Sequence, residues 1–410
     1  MASVVLLGTL DTKGIEYDFL RRRLDDEGCD VILVDAGIVG APLIAPDVTR
    51  EEVARAAGAD VAELAAAGDR GAAIATMARG ATEVVTRLFG EGRLDGILGL
   101  GGSNGSILVT AAMRSLPVGV PKLMVSTVAS GDTSPYVGAV DVTMMYSVVD
   151  IAGINRVSEP ILVNAAAAIA GMARAYAGFR PATGGKPLIG ATMFGVTTPC
   201  VTVARQELEA RGYEVLVFHA TGTGGRSLEA LVAGGFLAGV LDVTTTELAD
   251  ELVGGVLSAG PERLEAAGRA GIPQVVSLGA LDMVNFGPMA TVPEAFRGRR
   301  LYAHNAAVTL MRTTPEECAA LGRIVAEKVN TATGPVSVFV PLGGVSMIAV
   351  AGGVFADPEA DRALIAGLKA TLRPEIEVRE LEMEINDPRF ATAMATRLDA
   401  LVRSQKSGEG

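Results

Sequence analysis

The sequence has no tryptophan, two histidines and three cysteines in 410 residues, and aromatic residues make up only 4% of it. The cysteines, Cys29, Cys200 and Cys318, are widely spaced and odd in number. That excludes a disulfide framework and a zinc motif, and points to a reducing compartment. Cys200, after Pro199 near a helix start, has two readings: a thiol of lowered pKa or a small buried hydrophobe. Basic residues are also short, 35 Lys and Arg against 47 Asp and Glu, for a net charge of −12. A chain without a basic field does not displace counterions from nucleic acid, so that partner is excluded, although local cations can still hold one small anion. An uninterrupted long apolar run is missing too. Residues 336–356 carry no charge, but Pro341, Gly343, Gly344, Gly352 and Gly353 break them into a buried strand and a glycine loop rather than a membrane span. The start, MASVVLLGTLDTKG, lacks a basic region and reaches Asp11 too early for an export signal. The expectation is a soluble, cytoplasmic protein with no membrane partner.

What is present is alanine, glycine and apolar residues: 49% of the chain is hydrophobic and 50 residues are glycine. Apolar runs alternate with helical spacing, as in SVVLLGT, GIEYDFLRRRLDDEG, DVILVDAG, a helix over about 70–89, LDGILGLGG and PKLMVSTVASGD. Continuous apolar strands between amphipathic helices imply parallel strands covered on both faces. A last alanine-rich helix, at about 160–177, closes this half. The alternation restarts with LIGATMFG, YEVLVFHATGTGG, GVLDVTT, PQVVSLGALD, VSVFVPLGG and IEVREL. The fold class is therefore α/β, with two Rossmann-like, doubly wound subdomains, each with a mostly parallel sheet. The first spans 1–180 and the second 187–403, joined by a linker at 179–187 (FRPATGGKP) and followed by a disordered tail at 404–410.

In an open parallel sheet, ligands sit outside the carboxyl ends of the strands, where helix N-termini favour phosphate or carboxylate. The first half offers GTLDTKG, Asp35-Ala36-Gly37, GLGGSNGS and STVASGD there, with Lys13 and Arg70 as cations able to pair with phosphate oxygens. GLGGSNGS is neither a Walker A loop, for want of a lysine, nor a full dinucleotide fingerprint, because Asn104 stands where the third glycine belongs. Its glycines serve either a ligand or the close packing of strand on helix. Asp11 or Thr12 could equally be a helix N-cap.

The second half offers different chemistry. His219 ends a strand beside ATGTGGRS, where Gly222, Gly224, Gly225 and Arg226 form a candidate second anion site. Asp242 leads a threonine run, Asp282 lies near Asn285, and His304 stands in YAHNAAVTLMRTT. A histidine within reach of a carboxylate serves acid–base work or a metal, so His219, Asp242, Asp282 and His304 are the catalytic candidates. The two histidines match no metal-ligand spacing, and a capping or core role is the alternative for each. The catalytic residues and any metal ligands stay open.

Several strings occur in one order along the chain: GTLDTKG, GLGGSNGS, PKLMVSTVASGD, VVDIAGIN, TMFGVTTPCV, VFHATGTGGRS, LDVTTTELAD, LGALDMVNFGP and LMRTTPEE. In this the chain resembles the ATP-binding domain family of the tomato mosaic virus resistance protein and its bacterial and fungal relatives, over about residues 4–400. The resemblance implies two Rossmann-like subdomains, a homodimer, and ATP bound in the first subdomain, where Mg²⁺ is expected with it. It implies nucleotide contacts at Asp11, Thr12 and Lys13, at Arg70, and at Gly102, Ser103, Asn104 and Gly105. Two positions depart from the pattern. Asn104 replaces a glycine, and asparagine tolerates a left-handed backbone there; Ala349 stands where relatives often carry an aspartate. The expected function is nucleotide binding. The alternatives are a transferase or hydrolase acting on a small acidic metabolite in the cleft between subdomains, and a non-catalytic, nucleotide-gated interaction module.

Overall fold

The computed structural model describes residues 1–180 and 185–408, and the chain divides into two compact units, 1–182 and 183–410. Residues 181–184 of the expected linker lie outside the described ones. In chain order, unit one holds β1 (Ser3–Gly8), α1 (Leu10–Asp26), β2 (Asp30–Asp35), α2 (Arg50–Ala56), α3 (Val61–Ala67), α4 (Arg70–Gly90), β3 (Gly96–Gly101) and α5 (Ser103–Arg114). It ends with β4 (Lys122–Ser126), α6 (Ser134–Val137), β5 (Thr143–Tyr146) and α7 (Ser158–Gly178). All five strands are parallel, in the order β2-β1-β3-β4-β5.

Alternation along β1 explains the layers. Val5 and Leu7 join one core with Met77, Val85, Leu108 and Met113 of α4 and α5. Val4 and Leu6 join the other, with Leu20 and Leu24 of α1 and Ile169 of α7. Both faces are covered, so β1 and β3 read as unbroken apolar runs rather than alternating ones. By length and composition α7 could cross a membrane. Here its Leu162, Ala165, Ile169 and Ala173 are buried in the second of these cores.

Unit two begins with β6 (Leu188–Met193), α8 (Thr198–Ala210), β7 (Glu214–His219), α9 (Thr223–Ala233), β8 (Gly239–Thr244), α10 (Glu247–Val253), α11 (Ala266–Ala270) and β9 (Gln274–Gly279). It continues through β10 (Met283–Phe286), β11 (Leu301–Asn305), β12 (Val308–Arg312), α12 (Pro315–Asn330), β13 (Val336–Pro341), α13 (Pro358–Thr371), β14 (Glu377–Leu381) and α14 (Pro388–Gly408). Its six-stranded parallel sheet has the order β14-β13-β9-β8-β6-β7. As in unit one, the first strand of the unit lies between its second and third. Both units are α/β with mostly parallel sheets, as the alternation implies.

Three features differ from the sequence reading. β10, β12 and β11 form a separate antiparallel sheet, with Met283 opposite Arg312, where the apolar runs marked no strands. These strands are short, and the β10–β11 connection holds Pro288 and Pro293, so no strand period stands out. Edge strand β5 was not anticipated either. Helix α14 continues to Gly408 through residues read as a tail, and 409–410 lie outside the described residues. The uncharged stretch 336–356 is strand β13 followed by an irregular loop, as its proline and glycines predict.

Candidate functional site

In unit one the sheet order reverses direction between β1 and β3. Chains leaving these two strands turn to opposite faces, which opens a crevice at their carboxyl ends. A cavity of about 280 Å³ lies there. Its walls are Thr9, Asp11, Thr12 and Lys13 after β1, Ile38 and Val39 after β2, Arg70, Ile74 and Met77 of α4, and Gly101–Gly105 with Leu108 after β3. All the nucleotide contacts that the resemblance implied thus share one cavity. Asp150, from the loop after β5, also lines it and was not singled out in the sequence.

Each wall has a local cause. Asp35, fully buried at the end of β2, accepts from Leu10 N (3.0 Å) and Gly37 N (2.9 Å), tying the start of α1 to the β2 loop. Burial, backed by the nearby Asp11 charge and opposed by these two amides, pushes its carboxyl above the ordinary range. Asp11 Oδ2 accepts from Val39 N (2.7 Å) and Gly40 N (3.2 Å), while its buried Oδ1 has no partner among the described residues. Asp11 therefore organises the β2 loop as well as facing the cavity; neither it nor Thr12 is the N-cap, because α1 starts at Leu10 and the N-cap position is Thr9. Lys13 sits at a kink in α1 and donates to Ile151 O. Asp69 caps α4 through Ala72 N (2.9 Å), and no acceptor among the described residues is in reach of the exposed Arg70 guanidinium.

The glycine loop has two halves. A Cβ on Gly99 would lie 2.4 Å from Val109 Cγ1, and one on Gly101 would lie 3.0 Å from Gly105 Cα, so these two serve close strand–helix packing. Cβ atoms on Gly102 and Gly105 would meet nothing nearer than 3.6 Å. Packing does not require those two, and they border the cavity. Among the described residues no side chain caps α5, so its first-turn amides face the cavity end without a side-chain acceptor from those residues. Asn104 lies within that first turn and has no left-handed backbone, so the tolerance expected of it is not needed.

In unit two the candidates are not gathered. The amides of Gly222 and Gly225 do hold an anion, but it belongs to the chain: Glu247 Oε1 accepts from both, at 2.7 and 3.0 Å. A Cβ on Gly225 would lie 2.2 Å from Glu247 Oε2, so this glycine makes room for a carboxylate. The expected second anion site is thus filled from within, and Arg226 is left exposed outside it. Glu247 Oε2 pairs with Arg263 Nε (2.7 Å), and the fully buried Arg263 also binds Asp242 through both terminal nitrogens and Glu229 Oε1 (3.2 Å). Burial opposes the guanidinium charge, but these three carboxylates outweigh it and hold the Arg263 pKa well above its ordinary value. Asp242 is fully buried as a structural partner of Arg263 and Thr192 (2.8 Å).

Asp282 is buried beside Ser346 (2.8 Å), and desolvation raises its carboxyl to about 6 against the pull of Arg312. His219 ends edge strand β7, its ring 5.9 Å from that of Phe194, and His304 lies exposed on β11. These two histidines stand on different sheets. Cys200 is buried, which pushes its thiol up to about 12, so the lowered-pKa reading fails. All three cysteines are free and buried.

The fold and site define a class: a two-unit, doubly wound α/β protein whose first unit opens a cavity at its strand-order reversal. Within that class, the chain belongs to the UPF0261 family. Residues 2–178 match the model described as "Uncharacterised protein family (UPF0261) N-terminal domain", and residues 186–402 match its C-terminal counterpart. A UPF0261 protein of Clostridium tetani is 53% identical over 396 residues, covering 96% of this chain and 98% of the relative. The ToMV susceptible protein tm-1(GCR26) of Solanum lycopersicum is 42% identical over 425 residues, covering 99% of this chain and 56% of that longer protein. Among solved structures, UDP-N-acetylglucosamine 2-epimerase from Rickettsia bellii covers 98% of this chain and 96% of its own, at 10% identity and a TM-score of 0.24. That likeness is too slight to bear on function.

Proposed function

We propose that unit one binds ATP, with the triphosphate between the first-strand loop and the start of α5. One observation carries the reading: Lys13, Arg70 and the uncapped first turn of α5 converge on a single cavity at the strand-order reversal. Cations and unpaired helix amides are what phosphate oxygens require. Ile38, Ile74, Met77 and Leu108 supply an apolar wall suited to a base. Magnesium belongs to the same proposal. Among the described residues no group of three or more His, Cys, Asp or Glu could hold a metal alone. Mg²⁺ is commonly held by one or two carboxylates together with substrate phosphates, and the unpartnered Asp11 Oδ1, with Asp150, fits that donor set. Bound there, the ion would neutralise phosphate charge. A homodimer in the cytoplasm completes the proposal, and light scattering of the purified chain tests the dimer.

Calorimetric titration with ATP and Mg²⁺ is the direct test. A charge-assisted contact contributes about 1.5–3 kcal/mol, so Lys13→Ala with Arg70→Ala together lose about two to four orders of magnitude in affinity. Circular dichroism should show both proteins equally folded. A double variant that binds as tightly as the parent refutes the assignment.

A further inference from the structure

β1 pairs with β2 as far as Gly8–Asp35, and β3 pairs with β4 as far as Gly101–Ser126. Between β1 and β3 the pairing stops sooner, at Leu7–Gly99. A side chain fills the place where the ladder would continue. Tyr17, on the buried face of α1, donates its hydroxyl hydrogen to Leu7 O and accepts from Leu100 N at 3.0 Å, with Leu100 O a further 3.3 Å away. The peptide groups of the two strands are therefore joined through one phenolic oxygen instead of directly. Directly bonded strands lie about 4.8 Å apart, and two hydrogen bonds in series hold them wider. Gly8 accommodates the wedge, since a Cβ there would lie 1.9 Å from the Tyr17 oxygen.

The wedge stands just below the two loops that line the cavity. Thr9–Lys13 continues from β1, and Gly102–Gly105 continues from β3. Tyr17 itself is fully buried and is not part of the lining. We infer that Tyr17 is a positioning residue, whose hydroxyl sets the span between the Lys13 loop and the first turn of α5 and so the register in which phosphates are held. The inference rests on the nucleotide reading above. A phenylalanine would serve the apolar core as well. A buried hydroxyl must be hydrogen-bonded to avoid a penalty, and here its bonds go to the two strands whose separation matters.

The test compares two variants of the full chain by calorimetry with ATP and with inorganic tripolyphosphate, well below their melting temperatures. Tyr17→Phe removes the bridge and leaves Leu100 N without its partner. Leu24→Val trims the same helix in the same core, away from both loops. Both lower the melting temperature. Tyr17→Phe weakens ATP and tripolyphosphate about tenfold, equivalent to about 1.4 kcal/mol, whereas Leu24→Val leaves both within about twofold. Wild-type affinity in Tyr17→Phe overturns the inference, and so does equal weakening by Leu24→Val. A wild type that binds neither ligand overturns the nucleotide reading, and this inference with it.

Discussion

Replacing Glu247 by glutamine probes the internal ion cluster of unit two with almost no change in shape. The carboxylate is fully buried, with Oε1 on the amides of Gly222 and Gly225 and Oε2 on Arg263. Glutamine has one acceptor where glutamate has two. If its oxygen stays on the amides, its NH₂ points at the Arg263 Nε–H; if it turns, its NH₂ meets two amide donors. The first arrangement loses one charge-assisted bond and sets donor against donor there, and the second does the same at two amides. Removing one partner from a buried ion pair costs about 3–5 kcal/mol. Asp242 and Glu229 still face Arg263, so the lower end, about 3 kcal/mol, is expected. In a unit of this size that lowers the melting temperature by about 6–12 °C. With no tryptophan in the chain, far-UV circular dichroism is the suitable probe. A shift below about 2 °C would mean that the cluster contributes almost no net stability, and would refute the reasoning.

Asp250 gives a pH prediction: burial, opposed by hydrogen bonds from Asn285 and Leu257, raises its carboxyl from an ordinary value of 3.8 to about 7. The folded state therefore binds the extra proton between those values, and this group's stabilising contribution is lost as pH rises from about 4 to about 7. Asp250→Asn removes that slope; three pK units correspond to about 4 kcal/mol between pH 4 and pH 8, and parallel urea-midpoint profiles for wild type and variant would contradict this. Native protein should leave Cys29, Cys200 and Cys318 unmodified by a thiol reagent at neutral pH and expose all three in denaturant, because each is buried. Fast labelling of Cys200 in the native protein would disprove its burial.

How much of this was legible in the sequence depended on where each signal resides. β1, β3 and β4 are covered on both faces, so their apolar runs identify them directly. β5 is a half-exposed edge strand and carries no such run. β10, β11 and β12 are too short for their period to register. GTLDTKG and GLGGSNGS stood out because glycines and polar residues follow apolar strands immediately. Asp150 did not, because only the crossover through β5 brings its loop to the cavity. Tyr17 looks like any aromatic on a helix face, and its role depends on a strand pairing that spacing cannot express. The glycines of ATGTGG, read as a site for a bound anion, instead hold a carboxylate of the chain itself. That this anion is Glu247, the first residue of α10, follows from topology alone.

That built-in carboxylate gives the two units different responses to their surroundings. An anion taken from solution stabilises its host by mass action, in proportion to the logarithm of its concentration over its dissociation constant. Glu247 is tethered to the helix start it neutralises, so its effective concentration is fixed by the chain and cannot be diluted. Unit two therefore carries a constant, permanently saturated counter-anion. If unit one binds phosphates as proposed, the charge balance at its helix start would instead be set by what the surrounding solution contains.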